Sequence, residues 1–108
     1  MISEPRPGDV YWFSGGSQRG HEQSGRRPVL VVSDSRLNSL GLVWIVPLTT
    51  TDRGWPLHVP LKVGNRVSVA MCEQLRSASI ERLGQFIGDV GYETLSEVRA
   101  VIRRIVGR

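Results

Sequence analysis

The chain has 108 residues and a mass of 12.0 kDa, which is long enough for one ordinary domain and too short for two. Its net charge of +4 and pI near 10.2 favour an anionic partner such as nucleic acid. The single cysteine, Cys72, excludes an intramolecular disulfide and a cysteine-based metal site, and no apolar run reaches the ~18 residues that cross a membrane. Because the N-terminus also lacks the apolar segment of a signal peptide, we expect one cytoplasmic domain over residues 1–108, with no membrane contact.

Short apolar runs bounded by turn residues predict strands along most of the chain. The first is "DVYWF", followed by a glycine-rich loop over residues 14–27 and then by the strand "PVLVVSD", with Pro28 as its first residue. "LVWIVPLT" predicts a buried strand that has a bulge or an edge position at Pro47. "LHVPL" is a shorter strand, "VSVAMCEQLRSAS" forms one long or two broken strands, and "LGQFIGDV" is the last one.

Two segments have helical character. "SRLNSLG" predicts one short helical turn, capped by Ser33 or Ser35 and ended by Gly41. The last segment has a helical period, with its arginines expected to face solvent and Gly107 at the C-capping position. Its apolar face consists of Leu95, Val98, Val101, Ile102 and Ile105. The predicted fold class is therefore mainly β, with mostly antiparallel strands curled into a small barrel and one C-terminal helix.

Arg27 is the most promising candidate for phosphate chemistry. It stands beside Pro28 at the start of a strand, so rigid backbone anchors it and its planar guanidinium can be aimed at a phosphate. The alternative is a surface arginine that pairs with Glu22 or Glu73. Glu73 itself lies in a predicted strand region and needs a partner, which Arg27 or Arg76 could supply.

Three further residues have both a chemical and an ordinary interpretation. His21 could transfer protons near neutral pH, or it could be a solvated side chain in a glycine-rich loop. Thr49 could donate a hydrogen bond to phosphate, or serve only as a favoured strand residue. Trp55 could stack on an unpaired base, or pack over the edge of the sheet. There is no metal-binding motif, P-loop, dinucleotide fingerprint or nucleophile elbow, so no cofactor and no metal are expected.

Taken together in chain order, several blocks resemble the MazF/PemK family of toxin endoribonucleases. They are "RPGDVYW", "GHEQSGRRPVLVVS", "VPLTTT", "LHVPL", "CEQLRSAS", "ERLGQFIGDV" and "ETLSEV", and they cover nearly the whole chain. Each block alone is only weakly specific for this family. Their occurrence together, in this order and spacing within one short chain, is strong support for the resemblance. The resemblance implies a single toxin domain with the SH3-like barrel of the CcdB/MazF type.

The resemblance also implies an activity and partners. Such a protein forms a homodimer that binds single-stranded RNA, usually mRNA, in a groove across the two subunits. Cleavage is sequence-specific and metal-independent: the 2′-hydroxyl attacks the adjacent phosphorus and leaves a 2′,3′-cyclic phosphate and a 5′-hydroxyl end. The protein partner is a cognate MazE-like antitoxin, whose acidic and partly disordered segment covers the RNA groove, a basic surface that it complements.

Functional residues follow from the same resemblance. Arg27 matches the catalytic arginine, Thr49 the threonine that holds the scissile phosphate, and Glu73 an acidic residue that one branch of the family uses as general base. That branch also has an arginine two residues earlier, where this chain has Met71, so we expect a mechanism based on Arg27 and Thr49. The residues predicted to bind RNA are His21, Glu22, Gln23, Arg26, Thr50, Trp55 and Arg76.

Two other functions remain open. A toxin of the same fold, like CcdB, binds DNA gyrase without cutting RNA, but those proteins end in Trp-Gly-Ile and lack the blocks around Arg27 and Thr49. This chain ends in Val106, Gly107 and Arg108. The second alternative is an RNA-binding module that has no catalytic activity.

Overall fold

Seven antiparallel strands within residues 4–14 and 26–107, the part of the chain that the computed structural model describes, form one curled sheet against a C-terminal helix. The strands are β1 (Asp9–Ser14), β2 (Arg26–Val31), β3 (Leu42–Thr49), β4 (His58–Val63), β5 (Arg66–Met71), β6 (Arg76–Ser79) and β7 (Leu83–Asp89), and the helix is α1 (Tyr92–Val106). Short 3₁₀ turns span Ser35–Leu40, Cys72–Gln74 and Ile80–Arg82. The predicted fold class is confirmed.

The sheet curls far enough for its first and last strands to approach each other. Its order is β4-β5-β3-β2-β1-β7, and β6 also pairs with β3. A Cβ atom on Gly88 of β7 would lie 3.0 Å from Cγ1 of Val63 in β4. Gly88 therefore permits a close approach where the two ends of the sheet come together, and a larger residue there would have to displace Val63.

The central strands are buried on both faces, which explains their continuous apolar runs. Val10 and Leu30, paired across β1 and β2, belong to the cluster that α1 covers. Tyr11 and Val29, the next pair, belong to a second cluster on the opposite face. Leu30 has no exposed surface.

Strand β3 is central, and Pro47 lies where its neighbour changes. Residues 42–45 pair with β6, residues 48–49 pair with β5, and β2 occupies the other side. The prediction of an edge position for Pro47 is therefore wrong. Proline has no backbone N–H to donate. Its absence is tolerated there because pairing with β6 ends before Pro47 and pairing with β5 begins after it.

Helix α1 packs through most of the predicted apolar face, but the prediction is wrong for Ile105 near its end, which is 42% exposed. Leu95, Val98 and Val101 are buried, and Gly107 ends the helix with a φ of 97°. The prediction that all of its arginines face solvent is wrong for Arg99. Its Nε and Nη2 atoms donate to the Val32 carbonyl at 3.0 and 2.7 Å, because that carbonyl lies just beyond the end of β2 and needs a donor.

Local details differ from the sequence prediction at two places, and at a third the structure decides between two predicted alternatives. Strand β2 begins at Arg26, two residues before Pro28, because β1 continues to pair with it. Asp34, rather than Ser33 or Ser35, caps the first 3₁₀ turn by accepting a hydrogen bond from the Arg36 N–H. The "VSVAMCEQLRSAS" segment forms two strands separated by the Cys72–Gln74 turn. None of the helices in the described ranges is long and apolar enough to span a membrane.

Two leucines provide a matched test of this core. We expect Leu30→Ala to lower the free energy of unfolding by about 2–5 kcal/mol, because it leaves a cavity between the sheet and α1. Leu40→Ala, at a side chain that is 69% exposed, should change it by less than about 0.5 kcal/mol. Urea denaturation of both variants measures the difference, and equal losses would contradict the assigned core.

Candidate active site

A cleft of about 750 Å³ lies where the end of β3 meets β2, β4, β5 and the Cys72–Gln74 turn. The charged side chains that line it are strongly unbalanced in sign. Among the described residues, the carboxylate of Glu73 faces four guanidinium groups, those of Arg26, Arg27, Arg53 and Arg66. The cleft is therefore an electropositive site suited to an anionic ligand.

Three predicted catalytic residues reach this cleft from separate elements. Arg27 lies in β2, where it pairs with Phe13 of β1. Thr49 is the last residue of β3, and Glu73 belongs to the turn that follows β5. All three line the cleft, together with the predicted RNA-binding residues Arg26, Thr50 and Trp55.

Three of the four described arginines of the cleft contact aromatic rings. The guanidinium carbon of Arg26 lies 4.9 Å from the centroid of the Trp12 ring, and that of Arg66 lies 5.5 Å from it. Arg53 is 5.9 Å from the Trp55 ring. Within the described residues, Arg27 has no carboxylate partner, so its suggested ion pair with Glu73 is not formed. Cation–π contacts orient a guanidinium without neutralising its charge.

Glu73 pairs with His58, the first residue of β4. His58 Nε2 lies 3.1 Å from each carboxylate oxygen, and the His58 side chain is only 3% exposed. The expectation that Arg27 or Arg76 is the partner of Glu73 is therefore wrong. No local sequence pattern marks His58, because its contact depends on strand register: His58 pairs with Met71 at the end of β5, two residues before Glu73.

The environment of Glu73 favours its ionised form. Burial acts to raise the pKa of Glu73, but hydrogen bonds from His58, the backbone and Gln74, together with the charge of His58, outweigh burial and hold the pKa below its ordinary value. An ionised carboxylate only accepts hydrogen bonds, so the Nε2 atom of His58 carries the hydrogen between them.

Trp55 and Thr49 present further groups to the cleft. The Trp55 ring packs against His58, with 5.0 Å between the ring centroids, yet it stays 51% exposed. It therefore packs over the first residue of β4, while its stacking on an unpaired base stays a prediction. The Thr49 hydroxyl accepts a hydrogen bond from the Thr51 N–H at 3.2 Å, which leaves its own hydrogen available for donation.

The remaining predicted residues lie elsewhere. Arg76 is not part of the cleft; its guanidinium lies 5.5 Å from the ring of Phe13, whose side chain points to the opposite face of β1 from Trp12. Its proposed contact with RNA stays a prediction. His21, Glu22 and Gln23 lie outside the described residues.

Comparison with known proteins identifies the family. Residues 6–106 match the family described as PemK-like, MazF-like toxins of type II toxin-antitoxin systems. The chain belongs to this family. It is 33% identical over 111 residues to the endoribonuclease toxin MazF of Escherichia coli K12, covering 99% of this chain and all of that protein. Endoribonuclease MazF9 of Mycobacterium tuberculosis is 30% identical over 109 residues, with 91% and 92% of the two chains covered.

Solved structures agree with the family assignment. The MazE-MazF complex (Form-II) from Deinococcus radiodurans contains a chain that matches with a TM-score of 0.85 and 32% identity over 98% of each chain. MazF (Form-I) from the same organism matches with a TM-score of 0.83 and 30% identity, covering 99% of this chain and 100% of the other. The half-barrel described above is thus the fold of MazF.

Because the folded-state pKa of Glu73 is lowered, its ionisation makes stability depend on pH. The ionised carboxylate stabilises the folded protein fully at pH values above the ordinary pKa of glutamate, about 4.3. This stabilisation is lost as the pH falls through the lower pKa that Glu73 has in the folded protein. We expect the free energy of unfolding of wild type to fall more steeply below about pH 5 than that of Glu73→Gln. Urea titrations from pH 7 to pH 3 measure both slopes, and parallel curves would contradict the Glu73–His58 pairing.

Proposed function

We propose that the protein is the toxin endoribonuclease of a type II toxin–antitoxin system and that it cleaves single-stranded RNA, mRNA above all, in the cleft. One observation supports this most strongly: an arginine that has no carboxylate partner among the described residues, a hydroxyl donor and an ionised carboxylate converge there from three separate elements. Family membership over residues 6–106 adds support, as do full-length relatives that are named endoribonucleases. In this proposal, residues 1–108 form a single toxin domain.

The reaction is a transfer of the phosphorus from the 5′ oxygen to the 2′ oxygen. Glu73 accepts the proton of the 2′-hydroxyl as this oxygen attacks the adjacent phosphorus. Arg27 and the Thr49 hydroxyl hydrogen-bond to the non-bridging phosphate oxygens, where negative charge grows in the transition state. The bond to the 5′ oxygen breaks, and that oxygen gains a proton, which gives a 5′-hydroxyl end and a 2′,3′-cyclic phosphate.

The groups that surround this chemistry suit an unpaired RNA strand. Attack by the 2′-hydroxyl requires RNA rather than DNA, and a nucleotide free to rotate out of a duplex. The open face of Trp55 can stack on an unpaired base, and Thr50 lies exposed beside it. Arg26 and Arg66, oriented by Trp12, can follow the phosphates beyond the reacting one. No step in this scheme uses a metal or another cofactor. His21 stays a candidate for transfer of the second proton.

Replacement of Arg27 tests the catalytic assignment. We expect Arg27→Ala to lower kcat by about 10²–10³-fold, because it removes a charged donor from the transition state. Arg104→Ala, an exposed position near the end of α1, should cleave at the wild-type rate. The measurement is cleavage of a long single-stranded RNA in EDTA, with analysis of the end groups.

Each outcome of this assay is informative. Cleavage by wild type and Arg104→Ala alone, with cyclic phosphate and 5′-hydroxyl ends, supports the proposal. Equal cleavage by all three proteins would mean that Arg27 is not catalytic. If none of them cleaves any of several RNAs, the alternatives that bind gyrase or bind RNA without cleaving it gain weight, and a gyrase supercoiling assay follows.

The protein partner that fits the cleft is a MazE-like antitoxin with an acidic segment. The similar Deinococcus radiodurans structure is a MazE-MazF complex. In this chain, four arginines around one carboxylate complement an acidic, foldable peptide, which competes with RNA for the same groups. The toxin acts as a homodimer, so that the cleft of each subunit contributes to one RNA groove.

A synthetic peptide tests this partnership. We expect the acidic C-terminal segment encoded by the neighbouring reading frame to displace fluorescent single-stranded RNA from the toxin, and a charge-neutral peptide of the same length to fail. Fluorescence anisotropy measures the competition, and sedimentation of the complex counts the toxin copies. Binding of the peptide without displacement of RNA would contradict a shared cleft, and a single toxin copy would contradict the homodimer.

A further inference from the structure

We propose that Arg26 and Arg66 together bind one RNA phosphate beside the reacting phosphate, and that Trp12 is the positioning residue that aligns the two guanidinium groups. We call these three residues the second phosphate site. The inference rests on the proposed function, because it takes the ligand to be the single-stranded RNA that is cleaved at Arg27 and Thr49.

The second phosphate site joins strands from distant parts of the sheet. Trp12 of β1 and Arg26 of β2 lie diagonally across that strand pair on one face, a spacing that long side chains can span. Arg66 begins β5, where it pairs with Val63 of β4. It reaches Trp12 because the sheet curls until β7, the neighbour of β1, approaches Val63.

Trp12 offers both arginines a fixed platform. The guanidinium carbons of Arg26 and Arg66 lie 4.9 and 5.5 Å from the centroid of its ring, so the two cations lie close together. The backbone behind the ring is tightly packed, since a Cβ atom on Gly84 of β7 would lie 3.4 Å from the Trp12 carbonyl oxygen. A rigid aromatic ring in contact with two guanidinium groups restricts the orientations of both.

The charges at this site are left without compensation. Arg26 and Arg66 are both exposed and both line the cleft. Neither forms an ion pair within the part of the chain that the structure describes, and Glu73 of the same cleft is paired with His58. Two neighbouring cations repel each other, and an anion that contacts both would relieve this repulsion.

The chemistry of the site fits a phosphate of the RNA backbone. Guanidinium groups are permanently charged and present several N–H donors in a plane, which matches the non-bridging oxygens of a phosphate. Arg26 directly precedes Arg27 in β2, so the second phosphate site lies beside the position assigned to the reacting phosphate. A continuous strand of RNA can therefore fill both positions with phosphates that lie close together in its sequence.

The role of this site differs from that of Arg27. The charge on a neighbouring phosphate does not change during the reaction, so the site binds the substrate and the transition state equally well. Loss of such a contact raises KM and leaves kcat nearly unchanged. Arg66→Ala should therefore raise KM for a long single-stranded RNA about tenfold, whereas Arg27→Ala lowers kcat.

A double-mutant cycle tests whether the two arginines share one phosphate. The probe is a fluorescent single-stranded oligodeoxynucleotide that contains uracil in place of thymine, which lacks the attacking 2′-hydroxyl. Fluorescence anisotropy at several salt concentrations measures its affinity. Arg26→Ala and Arg66→Ala should each weaken binding about tenfold. The double variant should bind only slightly more weakly than either single variant, because one phosphate contact is lost in all three.

Salt dependence and a matched control complete the cycle. The slope of log affinity against log salt should become shallower by about 0.7 in each single variant and by little more in the double variant. Arg104→Ala removes the same charge from an exposed position on α1 and should keep the wild-type affinity and slope.

Variants of Trp12 test the positioning role without removing a charge. Trp12→Leu keeps both arginines but removes the aromatic face, so it should weaken binding about as much as Arg66→Ala. Trp12→Phe retains an aromatic face and should restore most of the affinity. Thermal unfolding shows that each variant is folded. If the leucine variant does not fold, Trp12→Met, which fills more of the space without an aromatic ring, replaces it.

The outcomes separate this inference from the proposed function. A non-additive cycle together with rescue by phenylalanine supports the second phosphate site. Additive losses would mean two separate phosphates and would overturn it, as would unchanged binding by Arg66→Ala or by a folded variant without the ring. Failure of wild type to bind the oligonucleotide would also overturn it. If wild type binds but does not cleave RNA, the proposed function fails, and the binding cycle decides on the second phosphate site by itself.

Discussion

The pairing of β3 with two strands along one of its sides is the constraint on which the site depends. Strands β5 and β6 are consecutive in the chain, and both pair with β3, one at each end. The chain between them must therefore bend beside β3, and this bend is the Cys72–Gln74 turn that carries Glu73. Thr49 ends β3 at the same place, and β2 on the other side of β3 supplies Arg27. The cleft is thus a consequence of sheet topology.

The described charged groups of the cleft fall into a cationic part and a single carboxylate. Arg26 and Arg66 are oriented by Trp12 through contacts that do not neutralise their charges. The carboxylate is held by a buried imidazole instead of an arginine. If Arg27 formed an ion pair with Glu73, each group would lose the property that the proposed reaction needs: a free cation for the phosphate and an accessible base.

Much of the fold and part of the site could be predicted because their signals are local. The alternation and length of apolar runs predicted the strands, and the change to a helical period predicted α1 and its buried face. Arg27, Thr49 and Glu73 were found from short blocks that resemble the MazF/PemK family, and all three line one cleft. Met71, where one branch of that family has an arginine, also lines the cleft, and the cations there come from other positions.

The sequence by itself determined the strands, the helix, the basic charge and the family, because propensity, periodicity and short motifs depend on neighbouring residues. Only the tertiary structure decided which distant residues meet. The pairing of His58 with Glu73 and of Arg66 with Trp12 depends on strand register, and the bond from Arg99 to Val32 depends on helix docking. Register and docking result from burial of the whole core, so no local pattern around these residues specifies their partners.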